Sequence, residues 1–279
     1  LYLDLYSQEE SKSVTHLGNN YSVYIISSSN AENFSFLQNT FIKSPHYKIK
    51  DAFKSTFKNL DFDEDYFLTN ASIVSTNCNP IGLMIKDYKE IHSINYAHGN
   101  GTGNFYNLKP NGLMLVKENE VVVCKSADFK YHNINDIRIG IQSGPMLIHD
   151  GTINAHFGQY SNNKNIKSGV GTFIDNSNQN QLIFAISENP VNFYDFSKFF
   201  EENYNCKNAL CIESAQSVMN IPNLTTSSKN STETICNYIY YKPGPIEKEV
   251  DVDINIPKNK SKNKNRWALV IGNEDYSSN

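Results

Sequence analysis

The 279-residue chain lacks several features that would assign it quickly to a class of protein. No apolar run approaches the roughly 20 residues of a membrane-spanning helix, so no membrane span is expected. Lys and Arg number 25 against 29 Asp and Glu, and without a basic excess no nucleic-acid partner is expected. The chain starts at Leu1 with no visible signal peptide, which fits a mature form or a fragment. The sequence does not assign a cellular compartment. One interpretation is a soluble protein that is secreted or periplasmic.

The cysteines and histidines give no metal or disulfide signature. Five cysteines at irregular spacing predict neither a disulfide framework nor a zinc site. Cys206 and Cys211 could meet across a helix-to-strand turn, although two independent buried residues are the favoured interpretation. His98, His149 and His156 do not have the spacing of metal ligands, so no metal site is predicted and no cofactor is assigned.

Short strands are the main secondary-structure signal. Between Phe67 and about Ile186, β-branched and aromatic runs alternate with Gly, Asn and Pro turns. The turns at Glu118-Asn119 and His149–Gly151 predict hairpins. The predicted strands are Tyr21–Ile26, Ile81–Ile85, Gly112–Val116, Val121–Cys124, Pro145–Ile148, Leu182–Ile186 and Ala209–Ile212.

Helical periodicity is limited to two regions. Residues 31–60 have apolar residues at mixed helical spacing and predict one or two helices. Asp195–Asn205 has an aromatic stripe typical of an amphipathic helix. Many strands with few helices predict an α+β fold of mixed, mostly antiparallel β-sheets flanked by helices.

The composition changes near the C-terminus. We assign residues 1–240 to one domain and the polar, Lys- and Asn-rich residues 241–265 to a linker. The apolar run Trp267–Asn273 then predicts a strand buried on both faces.

Four groups of motifs carry a resemblance to a known family. In chain order they are Asn70–Ile73 with Asn79–Leu83, Gly103–Tyr106 with Lys109–Gly112, Gln142–Leu147 with Lys167–Gly171, and Ile186–Phe193 with Cys206–Leu210 and Ile212–Ser217. Over about Tyr21 to Pro222 the chain resembles the phosphodiester glycosidase family. The resemblance implies a hydrolase that cleaves a sugar-1-phosphodiester bond.

The resemblance also implies the site residues. A sugar 1-phosphodiester breaks through an oxocarbenium-like transition state, and its phosphate leaving group benefits from a nearby cation. Lys167 would receive the phosphate, and Glu213 would activate water or stabilise the positive sugar. The implied substrate-binding residues are Asn70, Asn104, Gln142, Ser143 and Ser217.

Several site positions depart from the family pattern. Ser72 replaces a turn glycine, Lys167 replaces arginine, and Glu213-Ser214 replaces an Asp-Gly pair. Lysine keeps the charge but loses the planar guanidinium fork, and glutamate adds a methylene. Such changes favour an alternative, a catalytically degenerate module that binds a glycoconjugate or acts as a sensor. Structural alternatives also remain, because Lys167 lies in an Asn-rich segment typical of exposed lysines and Glu213 follows an apolar strand.

Residues 266–279 resemble the entry into a caspase-like (peptidase C14) domain. The resemblance covers one strand and the turn after it; a chance Rossmann-like strand is the alternative. The His and Cys of a caspase-like site would lie past Asn279, so this chain is not expected to be a protease alone. The expected partners are therefore a sugar-phosphodiester or glycoconjugate and a C-terminal caspase-like domain in the same chain.

Overall fold

Three antiparallel sheets organise the part of the chain that the computed structural model describes. The described residues are 9–45, 66–75, 77–97, 104–109, 111–214, 217–224 and 232–243. The chain divides into two units, Leu1–Gly244 and Pro245–Asn279. The caspase-like segment 266–279, and the predicted linker from residue 244 onwards, lie outside the described residues.

The strands, in chain order, are β1 (Glu10–His16), β2 (Asn19–Ser27), β3 (Phe34–Pro45), β4 (Phe67–Asn70), β5 (Met84–Lys86), β6 (Lys89–His92), β7 (Gly112–Val116), β8 (Val121–Lys125), β9 (Ile139–Ser143), β10 (Met146–His149), β11 (Thr152–Ile153), β12 (Ser168–Ile174), β13 (Asn180–Ser187), β14 (Asn208–Glu213), β15 (Met219–Asn220) and β16 (Thr232–Tyr241). The helices are the single turn α1 (Asn104–Asn107) and the longer α2 (Phe193–Tyr204), with 3-10 turns at Ala31–Asn33, Ser126–Tyr131 and Ile134–Asp136.

The largest sheet has seven strands in the order β1-β2-β13-β12-β14-β10-β11. A four-stranded sheet runs β15-β4-β16-β3, and a five-stranded sheet runs β6-β5-β9-β7-β8. Every strand pair in the described residues is antiparallel. The mostly antiparallel prediction is confirmed, although helices are a minor part of the fold. No described helix combines the length and apolar character that a membrane crossing requires.

The largest sheet is covered on both faces, as strand β2 illustrates. Tyr24 and Ile26 point into one hydrophobic cluster, whereas Tyr21, Val23 and Ile25 point into a second one. Since successive strand residues point to opposite faces, a strand buried on both sides must be apolar throughout. This explains the continuous run of β-branched and aromatic residues in β2.

Helix α2 closes the second of these clusters. Its Phe193, Phe196, Phe199 and Phe200 are buried there, and the ring of Phe199 stacks on Tyr21 with centroids 4.0 Å apart. The helix begins after Asn192, whose side chain accepts a hydrogen bond from the Asp195 N–H at 2.7 Å. It ends at Asn205, which adopts the left-handed conformation typical of helix C-termini. The amphipathic helix prediction is confirmed.

The seven predicted strands overlap β2, β5, β7, β8, β10, β13 and β14, and both predicted hairpin turns are present. The prediction of one or two helices in residues 31–60 is wrong for residues 34–45, and Ala31–Asn33 forms only a 3-10 turn. Phe34–Pro45 is strand β3, with Phe34 and Phe36 buried and Ser35 and Leu37 less so. It pairs with β16, a distant partner that local periodicity cannot reveal. Residues 46–60 lie outside the described residues.

The prediction of no disulfide framework is also wrong, because Cys78 and Cys236 are bonded. Their Cα atoms lie 5.3 Å apart although the residues are separated by 158 positions. The pairing of β16 with β4 brings them together, so no local Cys spacing predicts the bond. Cys206 and Cys211 are unbonded and buried, as predicted.

Candidate functional site

Lys167 and Glu213 lie at the same end of the seven-stranded sheet. Lys167 immediately precedes β12, and Glu213 ends the neighbouring strand β14, where it stands opposite Ser168. The thiol of Cys211 lies close to both charged residues. Burial raises the pKa of this thiol, the charge of Lys167 acts to lower it, and the charge of Glu213 acts to raise it. The fold therefore brings the two predicted catalytic residues to one region.

Lys167 is completely buried. Its backbone N–H donates to the hydroxyl of Ser187 at 3.0 Å, and its carbonyl accepts from the Ser187 N–H at 2.9 Å. Its Nζ lies 4.3 Å from the ring centroid of Phe193 and, within the described part of the chain, has no hydrogen-bond or ion-pair partner. Burial lowers the pKa of the ammonium group.

This placement corrects the alternative of an exposed lysine. Lys167 belongs to an Asn-rich segment, but the pairing with Ser187 directs it into the sheet, and α2 covers its side chain. A buried charge that no hydrogen bond compensates is costly, so it needs an explanation.

Glu213 is partly exposed at the sheet end. One of its carboxylate oxygens accepts the Ser214 N–H at 2.7 Å. Its carbonyl lies 3.4 Å from the Cys211 thiol and 3.0 Å from the Ser217 hydroxyl. Because this side chain is partly exposed, solvent can reach the carboxylate.

Ser217 and Asn70 connect the four-stranded sheet to this region. The Ser217 hydroxyl lies within hydrogen-bonding distance of the carbonyls of Ile166 and Glu213, at 3.0 Å each. The next residue, Val218, donates its N–H to the Asn70 side-chain oxygen at 2.6 Å. The hydrogen bonds of Ser217 and Val218 therefore connect Asn70 with Glu213 and with Ile166, the residue before Lys167.

The other predicted residues divide into three cases. Ser143 is buried, and its hydroxyl donates to the carbonyl of Ile212 at 2.7 Å, beside Glu213. Gln142 is buried with its amide fully engaged: its oxygen accepts two backbone N–H groups at 2.9 Å each, and its nitrogen donates at 2.8 and 3.0 Å. Asn104 begins the turn α1, and its side chain lies outside the described residues.

Three residues that the sequence interpretation did not select complete the site. Phe193 contacts the Lys167 ammonium, Ser187 holds the Lys167 backbone, and the Cys211 thiol lies 3.4 Å from the Glu213 carbonyl. Ser187 and Phe193 fall within a matched motif, which could have identified them. No group of three or more His, Cys, Asp and Glu side chains in the described ranges is placed to hold a metal ion.

A family model described as NAGPA, phosphodiester glycosidase, matches residues 64–221, more than half of the chain. The matched range contains all seven predicted site residues. Nothing in the comparisons supports the caspase-like resemblance of residues 266–279.

The known proteins that are similar to this chain include one from Escherichia coli and one from zebrafish. The uncharacterized protein YigE of Escherichia coli is 29% identical over 150 residues, 54% of this chain and 56% of YigE. The match thus spans little more than half of that relative. The zebrafish N-acetylglucosamine-1-phosphodiester alpha-N-acetylglucosaminidase catalytic domain, auto-inhibited by its pro-peptide, is similar in structure with a TM-score of 0.53. That match covers 85% of this chain and 82% of the zebrafish chain, and its 12% identity shows a shared fold alone.

Proposed function

Because the chain belongs to the phosphodiester glycosidase family, we propose that it hydrolyses a sugar-1-phosphodiester with Lys167 and Glu213 as the charged groups of the site. Family membership supports a glycosidase-type hydrolase. The observation that carries the more specific proposal is the fully buried Lys167 ammonium, which has no hydrogen-bond or ion-pair partner in the described residues.

The role of Lys167 follows from its unpaired charge. Transfer of an ammonium group from water into the protein interior costs roughly several kcal/mol, even after the surrounding protein adjusts, unless an anion or hydrogen bonds replace the lost water. A phosphate oxygen would supply both, and binding it would raise the lowered pKa of Lys167 towards its ordinary value. As the sugar–oxygen bond breaks, the same ammonium would stabilise the charge on the departing phosphate.

Glu213 would act on the sugar. The Ser214 N–H orients one carboxylate oxygen, and the side chain is partly exposed, so a water molecule can reach it. The carboxylate would accept a proton from this water or stabilise the oxocarbenium-like sugar. Asn70, Ser143 and Ser217 make hydrogen bonds that hold the segments around Glu213, so we assign them positioning roles.

The second candidate is a glycoconjugate-binding module without turnover. The altered site positions favour it, because Lys167 and Glu213 stand where the family pattern has arginine and aspartate, so the planar guanidinium fork and the shorter carboxylate are lost. A sensor arm for a caspase-like domain would be one such module, and it stays a prediction.

The test incubates the full chain with a methyl phosphodiester of a sugar 1-phosphate and measures released sugar. We expect turnover in the native chain and its loss in Lys167→Met and Glu213→Gln. Lys164→Met and Glu118→Gln are matched controls, since both residues are exposed and lie elsewhere on the surface.

The outcomes separate the candidates. Turnover that survives both site substitutions would show that Lys167 and Glu213 are not the catalytic groups. Binding of the phosphodiester without any turnover would support the second candidate.

A further inference from the structure

A cavity of about 220 Å³ lies at the start of α2. Its wall includes part of the loop of residues 154–165, here called the cavity loop, and neither Lys167 nor Glu213 lines it. Its lining includes Asn107, His156, Phe157, Ser161, Asn163 and Phe193. It is smaller than the roughly 300–1,000 Å³ of pockets that bind drug-sized ligands, so it fits a small, single-ring molecule.

Two stacked aromatic rings form the apolar part of the lining. The ring centroids of Phe157 and Phe193 lie 5.2 Å apart with an interplanar angle of 19°. The C–H groups on one face of a pyranose ring are apolar and slightly positive, and the face of an aromatic ring is slightly negative. The Phe193 ring is already covered by Phe157 and by the Lys167 ammonium, which lies 4.3 Å from its centroid, so the ring face that suits one face of a sugar is that of Phe157.

The polar part of the lining carries no Lys, Arg, Asp or Glu side chain. It consists of the amides of Asn107 and Asn163, the hydroxyl of Ser161 and the imidazole of His156, with Tyr194 beside them. Amides and hydroxyls both donate and accept hydrogen bonds, as sugar hydroxyls do. A phosphate or a carboxylate would lack the cationic partner that such anions prefer. The lining chemistry thus favours a neutral ligand.

The cavity loop is held in place at its start and in its middle. The Asn154 side chain donates to the carbonyl of Lys109 at 3.0 Å. The Asn192 side chain donates to the carbonyls of Gln159 and Ser161 at 3.2 and 3.4 Å. A loop fixed by partly buried hydrogen bonds loses little further freedom when a ligand binds, which favours affinity.

We propose that this cavity is an accessory binding site for one neutral pyranose residue, stacked on Phe157 and hydrogen-bonded by Asn107 and Asn163. Neither Lys167 nor Glu213 lines the cavity, although its Phe193 also contacts the Lys167 ammonium, and the proposal does not require hydrolysis. It would let the protein hold a second sugar unit of a glycan.

The test records saturation-transfer difference NMR of the full chain with methyl pyranosides of glucose, galactose, mannose and N-acetylglucosamine. We expect at least one glycoside to bind, with the strongest transfer to its ring C–H protons. Asn107→Ala and Phe157→Leu should weaken binding at least tenfold, because they remove a hydrogen-bonding amide and one stacked ring. Both side chains are at least partly exposed, so the fold should tolerate their loss.

Two matched controls and one site variant complete the design. Asn162→Ala changes an exposed amide in the same loop that does not line the cavity, and Phe173→Leu changes a ring at the other end of α2, against Tyr204. Both controls, and also Glu213→Gln, should bind the glycoside as the native chain does.

Four outcomes would overturn the proposal. They are no binding of any glycoside, binding unchanged by Asn107→Ala and Phe157→Leu, binding abolished by Glu213→Gln, and competition by inorganic phosphate. The last result would show an anion site in place of a neutral sugar site. None of these results bears on whether the phosphodiester is hydrolysed.

Discussion

Replacing both Cys78 and Cys236 with alanine removes the covalent link between the turn after β4 and strand β16. Cys78 has a positive φ of 62°, and alanine retains the Cβ atom, so any backbone strain at this position is the same before and after the change. The double variant therefore isolates the contribution of the bond itself.

The expected loss of stability follows from the length of chain that the bond closes. With 158 positions between the two cysteines, the chain-entropy relation gives about 5 kcal/mol at 25 °C. Removal of native disulfides commonly costs about 2–5 kcal/mol, because the unfolded state retains some structure. We expect a loss within this range, which is a large part of the stability of an ordinary domain.

Guanidinium unfolding followed by far-UV circular dichroism measures this loss. Reduction of the native chain should lower its midpoint by the same amount as the double substitution, and reductant should leave the double variant unchanged. The other described cysteines are unbonded and buried, so they should not contribute. Equal midpoints for the oxidised and reduced native chain would refute the reasoning.

The remaining predictions concern Lys167, Gln142 and Asn192. Lys167→Met should raise the free energy of unfolding at neutral pH by on the order of 1–4 kcal/mol, because it removes an uncompensated buried charge. Since folding lowers the pKa of Lys167, the unfolded chain binds more protons between that pKa and 10.5, so native stability should rise with pH across this window. Urea unfolding at several pH values should show this rise in the native chain and not in Lys167→Met. If phosphodiester turnover needs the ammonium, kcat/KM should fall above the lowered pKa, and Lys167→Arg should remove this alkaline fall in a pH-rate profile. Gln142→Met should cost about 2–6 kcal/mol in urea unfolding because two buried backbone N–H groups lose their acceptor, whereas exposed Gln159→Met should stay within about 0.5 kcal/mol. Asn192→Ala should cost at least about 1 kcal/mol in thermal unfolding through loss of the α2 cap, and an unchanged midpoint would contradict the capping role.

The local sequence pattern predicted those strands and helices whose surroundings are the same along their whole length. Strand β2 is buried on both faces and contains the apolar run Val23–Ile26, and α2 has both an aromatic stripe and a capping Asn192. The helical prediction for Phe34–Pro45 was wrong because the strand conformation of this segment depends on pairing with β16. The pattern of a short segment cannot encode a partner that lies some 200 residues away in the chain.

The sequence predicted which residues form the site better than it predicted how deeply their side chains are buried. The resemblance selected Lys167 and Glu213, and the fold places both at one sheet end. Sequence pattern alone favoured an exposed Lys167, because the covering ring of Phe193 belongs to a helix that begins 26 positions later. The Cys78–Cys236 bond was missed for a similar reason, since only the assembled four-stranded sheet brings the two residues together.

The position of β16 has a consequence for how the protein is made. This strand is the last described strand in the chain, yet it lies between β4 and β3, and Asn237 on it donates to the Ser72 hydroxyl at 2.8 Å. Strands β3 and β4 leave the ribosome long before β16, so the strand edges that pair with β16 stay unpaired during translation. The four-stranded sheet that contains Asn70 can therefore close only near the end of synthesis, and a nascent chain arrested before Thr232 would be a natural client for chaperones.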